Sequence, residues 1–513
     1  MKNLPLYPMP YFCDRASEST CMEIAENMLR NRIYLWGDVW LEPSESNIFD
    51  TSFEVDAIVN REYLLAMDYL SALLSAYKKT GDDLYKQKFL EIILQFFDYY
   101  ERGEFIPALE DDLIVCAQIL MFIKSFSLVS YEYPLKNKVQ ELMYDYAMYC
   151  YDDKNHHDDN NHGLFTDMGL LHLSICFSNL PDAKNWQSRA IKRVEKLFET
   201  TFYQDGFNNE GSLKYFLYNL NQYQKILKFC KAYHIKGLED ICQKIGMSEE
   251  VLLSFAHRDG SYPIIGDGEE FFFKAGNHAA EIYPHAGICV AKIKDMYLTL
   301  KCKAVMQSHT HIDDTSITAR FRTFDLVLDS GQYNYDRYHP VNRYLRTSGG
   351  HSGIFPLFVD GLSLKEYLDR RNDAAVEQFC CDGNICRILG RYELDDGEIK
   401  VWRKITMTAN RIEVCDSWEC ASPQNMRQRF ILPQEFLKKS RFTASKRLFE
   451  TSMETLDIKY EVTSRVPITT TMNFGVYSKE YLNFESTILL DTIAENSLCG
   501  EITTTITVSD KGE

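Results

Sequence analysis

The sequence predicts an α+β protein of two domains, a helical N-terminal domain followed by an antiparallel β domain. Helical periodicity fills the first half of the chain, and side-chain alternation with a period of two fills most of the second. A stretch rich in Gly, Pro and Asp, "HRDGSYPIIGDGEE", separates the two patterns at residues 257–270. We therefore expect domains at 1–265 and 266–513.

The helical prediction starts from residues Leu70, Leu73, Leu74 and Tyr77, which follow the i, i+3, i+4, i+7 spacing of one helix face. Gly81 ends this helix and Asp82 can cap the next one. Similar blocks recur, which predicts eight to ten helices packed as antiparallel hairpins. They lie at about residues 17–33, 83–101, 111–130, 135–151, 160–180, 184–202 and 211–233.

The β prediction rests on segments rich in β-branched and aromatic residues after residue 280. They are "GICVAKIKDMYLTLKC", "SITARFRTFDLVLDSG", "EIKVWRKITMTANRIEVCDSW" and "GEITTTITVSD". Because no helical pattern separates most of these strands, they predict an antiparallel sandwich.

Composition excludes several classes of protein. Hydrophobic residues make up 45% of the 513 residues, which excludes a disordered chain. The net charge of −18 argues against a nucleic-acid binder. The longest apolar run, Leu113 to Ile123, is too short to cross a bilayer, so we expect no membrane partner.

The N-terminal stretch "MKNLPLYPMPYFCDR" lacks the apolar core of a secretory signal. The 15 cysteines are scattered and form no CxxC pair, so we interpret them as reduced thiols. Both observations favour a cytoplasmic protein, with a periplasmic or secreted location if a signal has been trimmed. A homodimer is compatible with the sequence but nothing in the chain requires it.

One polar stretch, "SHTHIDDTS", places two histidines and two aspartates within nine residues. In an extended conformation His309, His311 and Asp313 point to one face. Asp329 and His351 follow in "LDSG" and "SGGHSG". Two histidines and a carboxylate suit Zn²⁺, although an isolated His-x-His is more often a solvated or hydrogen-bonded pair.

Two further polar clusters lie in the helical half, "HHDDNNHGLFTDMGLL" and "DGFNNEGSLKYFLY". Asn161 and His162 stand at the start of the helix predicted in the first of these clusters. A helix cap formed by an Asn side chain would explain one of the asparagines there. Tyr215 and Tyr218 lie three apart on the second helix, as ordinary core tyrosines also do.

Taken in order, these motifs resemble the heparinase II/III family of polysaccharide lyases, which includes alginate and oligoalginate lyases. The resemblance covers roughly residues 155–365, and "PIIGDGEE" also resembles the family's Pro-x-x-Gly-Asp segment. The matching residues are Asn161, His162, Asp205, Gly206, Glu210, Ser212, Tyr215, His309, His311, Asp313, Ser316, Asp329, Ser330, Gly331, Arg343, Tyr344, Arg346 and His351.

The resemblance implies an incomplete (α/α) toroid followed by an antiparallel β-sandwich. It also implies β-elimination at a uronic acid of an acidic polysaccharide or oligosaccharide, such as a glycosaminoglycan, alginate or a bacterial exopolysaccharide. A base removes the proton at C5 and the bond at C4 breaks. An ionised carboxylate beside C5 makes that proton a very weak acid, so the carboxylate must first be neutralised.

The resemblance implies roles for individual residues. Asn161 is the candidate that neutralises the carboxylate, helped by His162 and His309. Tyr215 is the first candidate for the acid or base, and Tyr344 the second. Arg343, Arg346, Glu210 and Tyr218 are the expected substrate-binding residues, with Tyr218 replacing Tyr215 if the helix register turns Tyr215 away.

For the metal, the resemblance implies His311, Asp329 and His351 as ligands of a structural Zn²⁺, which leaves His309 free to face the substrate. The alternative is that this chain has lost the metal. Two departures from the family pattern stand out. Ser352 and Gly353 replace an Asn-Thr pair after His351, and Phe216 follows Tyr215 where many relatives have His.

Three functions fit these residues. The first is a uronate polysaccharide lyase. The second is a C5-epimerase or a hydrolase on the same scaffold, of which the epimerase would return the C5 proton without breaking the chain. The third is a carbohydrate-binding protein that keeps the cleft without turnover.

Overall fold

A computed structural model describes residues 18–36, 39–43, 45–54, 57–103, 112–275 and 279–511. The N-terminal stretch that we interpreted as lacking a signal lies outside these residues. The chain forms two compact units, which are Met1–Thr201 with Gln222–Gln243, and Phe202–Asn221 with Lys244–Glu513. We describe each unit by itself.

Helices dominate the described chain up to residue 254, as the periodicity predicts. Two short strands, Ile33–Trp36 (β1) and Val39–Leu41 (β2), pair within this region. The helices are α1 Glu18–Leu29, α2 Ala57–Ala66, α3 Leu70–Thr80, α4 Asp83–Glu101, α5 Asp112–Phe126, α6 Leu135–Tyr151, α7 Asn161–Cys176, α8 Ala183–Thr201, α9 Leu213–Ala232 and α10 Glu239–Ser254.

Helix α3 ends and helix α4 begins where the sequence predicts. Gly81 ends α3 with φ of 71°, a left-handed conformation that glycine adopts without steric cost. The side chain of Asp82 then accepts a hydrogen bond from the Leu84 amide at 2.9 Å and caps α4. Both predictions are confirmed.

Helices α5 and α7 form the interior of the first unit, where they pack against each other. Ile114 to Ile123 are all buried, which agrees with the prediction of a buried helix for this apolar run. The predicted apolar face of α7 includes Leu164 and Leu171, which are buried. Polar residues of α7, Asp167 among them, are buried as well, so this helix is enclosed on more than one face.

The second unit contains two antiparallel sheets. A five-stranded sheet has the order β3-β4-β5-β6-β7, and a larger sheet has the order β13-β14-β15-β17-β12-β11-β10-β9, with β16 paired to β17 and β8 paired to β12. The strands are β3 Glu281–Tyr283, β4 Ile288–Ile293, β5 Met296–Lys301, β6 Ser316–Phe321, β7 Phe324–Val327, β8 Ile354–Pro356, β9 Arg371–Cys381, β10 Cys386–Leu394, β11 Ile399–Met407, β12 Arg411–Leu432, β13 Ser440–Thr443, β14 Leu448–Ser452, β15 Leu456–Ser464, β16 Thr469–Glu480 and β17 Asn483–Asp510.

Side chains from both sheets bury one hydrophobic core. Leu298 and Leu300 on β5 belong to the same buried cluster as Ile405 on β11, Ile412 on β12 and Ile506 on β17. Alternate residues of β10 and β11 are buried, as one-sided strands require. The predicted class, a helical toroid followed by an antiparallel β-sandwich, is confirmed. Two short helices, α11 Pro340–Arg346 and α12 Leu364–Arg370, interrupt the strands.

A fully buried ion pair anchors the loops of the second unit. Arg403 on β11 makes two hydrogen bonds to the Asp416 carboxylate on β12, at 2.7 and 2.6 Å. The same guanidinium donates to the carbonyl oxygens of Thr315 and Ser352. Planar guanidinium groups suit such convergent bonding. The segments that directly follow Asp313 and His351 are thereby held against the large sheet.

The compact units divide the chain differently from the predicted boundary at residue 265. Phe202–Asn221, which carries Glu210 and Tyr215, belongs to the same unit as the β-sheets. The helical periodicity of α9 places Tyr215 in a helix, but it contains no information about which unit that helix end joins.

The cysteines depart from the predicted uniform thiol state at one place. Cys381 and Cys386 form a disulfide between β9 and β10, and the other cysteines in the described chain are outside any disulfide. The pairing of β9 with β10 brings the two positions opposite each other, which sequence spacing did not indicate. Among the described helices, none is both long and apolar enough to span a bilayer.

Candidate active site

The core of the candidate site is a stacked pair of rings in the second unit. The Tyr215 and His309 ring centroids are 3.3 Å apart with an interplanar angle of 12°. Tyr215 lies in the first turn of α9, and its amide donates to the Ser212 hydroxyl at 3.3 Å. His309 lies in the loop between β5 and β6. The structure therefore brings together two of the predicted catalytic residues.

A glycine permits this close approach of loop and helix. Gly211 has φ of 74°, and a Cβ built on it would lie 2.3 Å from the Thr310 hydroxyl oxygen. Any larger residue would push the segment of His309 away from the start of α9. The close contact with Thr310 therefore explains why the last residue of the Asp-Gly-x-x-x-Glu-Gly run before α9 is a glycine.

Asp267 contacts three polar side chains of the site, although the sequence analysis assigned it no role. Its Oδ2 lies 3.2 Å from His309 Nδ1, and its Oδ1 lies 2.7 Å from His311 Nε2. Arg346 donates to the same carboxylate. Asp267 is 2% exposed, so one buried carboxylate orients two histidines and an arginine.

Asp267 stays ionised despite its burial. Burial by itself would raise the pKa of this carboxyl group, but the charge of Arg346 and hydrogen bonds from His309 and His311 hold the pKa well below its usual range. An ionised carboxylate only accepts hydrogen bonds. His309 therefore carries its proton on Nδ1, which leaves Nε2 as the basic ring nitrogen.

Glu210, predicted to bind substrate, is buried behind the ring pair. Its Oε1 accepts a hydrogen bond from Asn219 at 3.0 Å. Its Oε2 lies 3.6 Å from His309 Nε2 and has no hydrogen-bond partner in the described part of the chain. With 2% of its surface exposed, Glu210 is placed to act on His309 electrostatically.

The Tyr215 hydroxyl faces a second tyrosine that the sequence analysis did not select. Tyr335 Oη lies 3.1 Å from Tyr215 Oη. Burial, followed by the nearby Tyr335, Asp267 and Glu210, raises the pKa of Tyr215 well above its ordinary value. Tyr215 is therefore a neutral phenol that can donate a proton. The Tyr218 ring lies 6.2 Å from the Tyr215 ring, one helical turn along α9.

Tyr344, the second predicted catalytic tyrosine, has other neighbours. Its hydroxyl lies 3.5 Å from Arg429 Nη1. Burial raises the pKa of Tyr344, although Arg429 and Arg427 oppose that shift. Of the arginines expected to flank it, Arg346 binds Asp267 and Arg343 is exposed. In the described structure Tyr335 rather than Tyr344 lies against Tyr215.

The three predicted metal ligands lie in one buried cluster. His351 Nδ1 hydrogen-bonds the Asp329 carboxylate, and the His311 and His351 rings are 5.2 Å apart. His351 Nε2 is buried without a hydrogen-bond partner in the described residues. Burial lowers the pKa of His311 to about 4, so this ring is neutral as a metal ligand must be. No group of three or more His, Cys, Asp or Glu within the described ranges surrounds a common centre.

Asn161 and His162 belong to the first unit. Asn160, rather than Asn161, caps α7, because its side chain accepts a hydrogen bond from the His162 amide at 2.9 Å. Asn161 is therefore not needed as the cap and is 8% exposed. His162 Nδ1 lies 2.9 Å from Asp112 Oδ1 at the start of α5. The start of a helix favours negative charge, including a carboxylate.

Sequence reasoning missed Asp267 and Tyr335 for different reasons. Asp267 was visible as part of "PIIGDGEE", but its three partners lie 42 to 79 residues away in sequence. Tyr335 is one of several tyrosines in "QYNYDRYHP", and no spacing rule separates it from its neighbours.

Comparisons with known proteins agree with this architecture. The profile described as Heparinase II/III N-terminus matches residues 53–287, and the one described as Heparinase II/III-like, C-terminal, matches residues 275–488. No curated protein matches the sequence.

Solved structures show the same fold at low sequence identity. Heparinase III superposes with a TM-score of 0.80 and 12% identity, covering 99% of this chain and 88% of that one. Heparan sulfate lyase HepC from Pedobacter heparinus gives a TM-score of 0.70 and 14% identity, covering 100% and 86%. A chondroitin AC lyase mutant from Streptomyces coelicolor gives a TM-score of 0.57 and 8% identity, covering 98% and 81%.

Proposed function

The chain belongs to the heparinase II/III family of polysaccharide lyases, and from this premise we propose that it cleaves a uronate-containing polysaccharide or oligosaccharide by β-elimination. The observation that carries the proposal is the stacked pair of Tyr215 and His309, oriented by the buried carboxylate of Asp267. Glycosaminoglycans are the substrate class we favour, because the similar solved structures include a heparinase, a heparan sulfate lyase and a chondroitin lyase.

The base in this proposal is His309. Its Nδ1 is committed to Asp267, which directs the lone pair of Nε2 away from that carboxylate. A neutral imidazole is a suitable base near neutral pH, whereas a phenol with a raised pKa is not. The His309 side chain is 16% exposed, and its Nε2 lies 3.6 Å from Oε2 of the buried Glu210.

The acid in this proposal is Tyr215. When the bond at C4 breaks, the leaving oxygen develops negative charge and needs a proton. The raised pKa of Tyr215 keeps the phenol protonated until that moment. Tyr335 can then exchange a proton with Tyr215 through their 3.1 Å contact.

In this proposal Asn161 and His162 bind the carboxylate of the uronate and stabilise its charge. Removal of the C5 proton places a second negative charge on the sugar, and hydrogen-bond donors at the carboxylate stabilise it. Asn161 brings an amide and the first turn of α7 brings its dipole, while His162 adds an imidazole.

A structural Zn²⁺ remains part of the proposal. The residues that would hold it are His311, Asp329 and His351, a donor set that suits zinc. The buried His351 Nε2 without a partner supports this assignment. Bound zinc would supply only a rigid link between the segments that carry these residues, and no chemical step depends on it.

We expect the purified protein to contain about one zinc per chain by elemental analysis. The change His351→Ala should lower the content to the background of a zinc-free protein, because it removes one of three protein ligands. His285→Ala, at an exposed histidine, is the matched control and should leave the content unchanged. Wild-type protein that retains no zinc and takes up none on addition would refute the metal site.

The function is tested with a panel of acidic polysaccharides and oligosaccharides, followed by the ultraviolet absorbance of unsaturated uronate. We expect wild type to act on at least one member and His309→Ala to bind that member without cutting it. Incorporation of solvent deuterium without new chain ends would identify an epimerase instead. New ends without the absorbance would identify a hydrolase, and binding without turnover a carbohydrate-binding protein.

The cytoplasmic location and the homodimer stay predictions. Cell fractionation with an antibody to the chain, and light scattering of the purified protein, would test them.

A further inference from the structure

A second buried carboxylate contacts a predicted catalytic histidine, in the first unit. Asp112 begins α5 and is 0% exposed, and its Oδ1 lies 2.9 Å from Nδ1 of His162 in the first turn of α7. The His162 side chain is 45% exposed. The imidazole therefore has one edge on a buried carboxylate while nearly half of its surface is accessible.

This contact determines the protonation of the ring. Asp112 Oδ1 also accepts a hydrogen bond from the Leu113 amide at 2.8 Å, so it acts as an acceptor. A carboxylate that accepts from His162 requires the proton to be on Nδ1. The neutral His162 ring is thereby held as one tautomer, and the cationic ring has an anion beside it.

Helix capping does not explain the contacts of the Asp112 carboxylate. Its Oδ1 accepts from the amide of Leu113, the next residue, whereas a capping side chain accepts from an amide two or three residues on. Asp112 Oδ2, however, is buried without a hydrogen-bond partner in the part of the chain that the structure describes. Burying such an oxygen destabilises the fold, and unsatisfied groups of this kind often serve a function.

A second His–Asp contact lies nearby, between His156, which precedes α7, and Asp167 on α7, and it has no accessible ring edge. His156 Nε2 lies 3.0 Å from Asp167 Oδ2, and His156 Nδ1 lies 2.9 Å from Asp158 Oδ1. The His156 side chain is only 3% exposed and both of its nitrogens have protein partners. This pair has no edge for a substrate, in contrast to His162.

We propose that Asp112 is a positioning residue that accepts from Nδ1 of His162 and orients the ring, so that Nε2 of the doubly protonated imidazole is the nitrogen that donates to the uronate carboxylate. The proposal rests on the proposed function of His162. Asp112 itself touches no substrate and acts through the imidazole. When the ring is doubly protonated, Nδ1 donates to Asp112 and Nε2 donates to the substrate.

The direct test is nitrogen NMR of the full chain labelled at histidine, with the His162 signal assigned from His162→Gln. In wild type the neutral ring should carry its proton on Nδ1. In Asp112→Leu no acceptor faces Nδ1, so the neutral ring should return to the tautomer protonated on Nε2, which a free imidazole favours. Asp167→Leu is the matched control, and it should change the His156 signal and leave that of His162 unchanged. An unchanged His162 tautomer in Asp112→Leu would overturn the proposal.

Turnover provides the second readout. We expect Asp112→Leu to lower kcat/KM by about 10- to 100-fold, the usual effect of losing a residue that orients a functional histidine. Combining it with His162→Gln should add less than about a further threefold, because two residues that act as one unit are not additive. The full Asp112→Leu loss persisting in the His162→Gln background would show that Asp112 acts through the fold alone.

Two further comparisons keep the outcomes separate. If Asp112→Leu fails to fold, Asp112→Ser keeps an acceptor for the Leu113 amide and removes the carboxylate. If wild type cuts no acidic polysaccharide, the proposed function fails, and the tautomer of His162 still decides whether Asp112 positions the ring.

Discussion

Replacing Tyr215 with phenylalanine is expected to lower kcat by between about 10²- and 10⁴-fold while leaving substrate affinity within a few fold. The change removes one hydroxyl and keeps the ring that stacks on His309. Without the proton of Tyr215, the leaving oxygen must depart as an alkoxide, which is a far poorer leaving group. The substrate should still bind, because the other residues keep their contacts with its carboxylate and sugar rings.

The measurement compares single-turnover cleavage with oligosaccharide binding by calorimetry. Tyr218→Phe is the matched control, since it makes the same chemical change one turn away on α9, with the ring 6.2 Å from that of Tyr215. It should change kcat by less than about threefold. If the two variants lost activity equally, or if Tyr215→Phe retained full kcat, Tyr215 would not be the acid.

Replacing Asp267 with asparagine is expected to destabilise the fold by about 3 kcal/mol at neutral pH and to abolish turnover. The variant leaves the Arg346 guanidinium beside a neutral amide, and because asparagine has a single acceptor oxygen, one of His309 and His311 faces an N–H group instead of an acceptor. His309 could then adopt either tautomer, so Nε2 would no longer be reliably the base.

The loss of stability should depend on pH in a defined direction. The pKa of Asp267 is lower in the folded than in the unfolded protein, so its contribution is fully present above the unfolded value of about 3.9. It disappears as the pH falls through the folded value. The difference in unfolding free energy between wild type and Asp267→Asn should therefore shrink as the pH falls below about 4.

Urea unfolding at several pH values measures this difference. Asp295→Asn is the control, because Asp295 pairs with Arg258 and Arg322 near the surface, and surface pairs contribute less than about 1 kcal/mol. A cost for Asp267→Asn no larger than that for Asp295→Asn would show that Asp267 does not organise the site.

Much of the candidate site could be predicted because its residues stand in ordered motifs. Tyr215 and His309 were selected from motifs about a hundred residues apart, and they stack in the structure. His311, Asp329 and His351 likewise come together as one buried cluster. Tyr215 lies in the first turn of α9 and Asp329 just after β7, whereas His309 lies within the loop between β5 and β6.

The choice among similar residues was decided by packing. Tyr335 and Tyr344 both precede His351 in a tyrosine-rich stretch, and the structure places only Tyr335 against Tyr215. The short helix α11 carries Tyr344 to Arg429, a residue on β12. Which side of a short helix faces a given neighbour depends on contacts with distant strands, and no local pattern encodes them.

By itself the sequence determined the fold class, the order of helices and strands, and the identity of most polar groups in the site. These follow from periodicity, capping and turn residues, which act over a few positions along the chain. Only the tertiary structure decided that Asp267 joins two histidines and Arg346, and that Asp112 holds His162. Both carboxylates interact with residues at least 42 positions away, and the ionisation and orientation that result depend on burial and on contacts that form only when the chain folds.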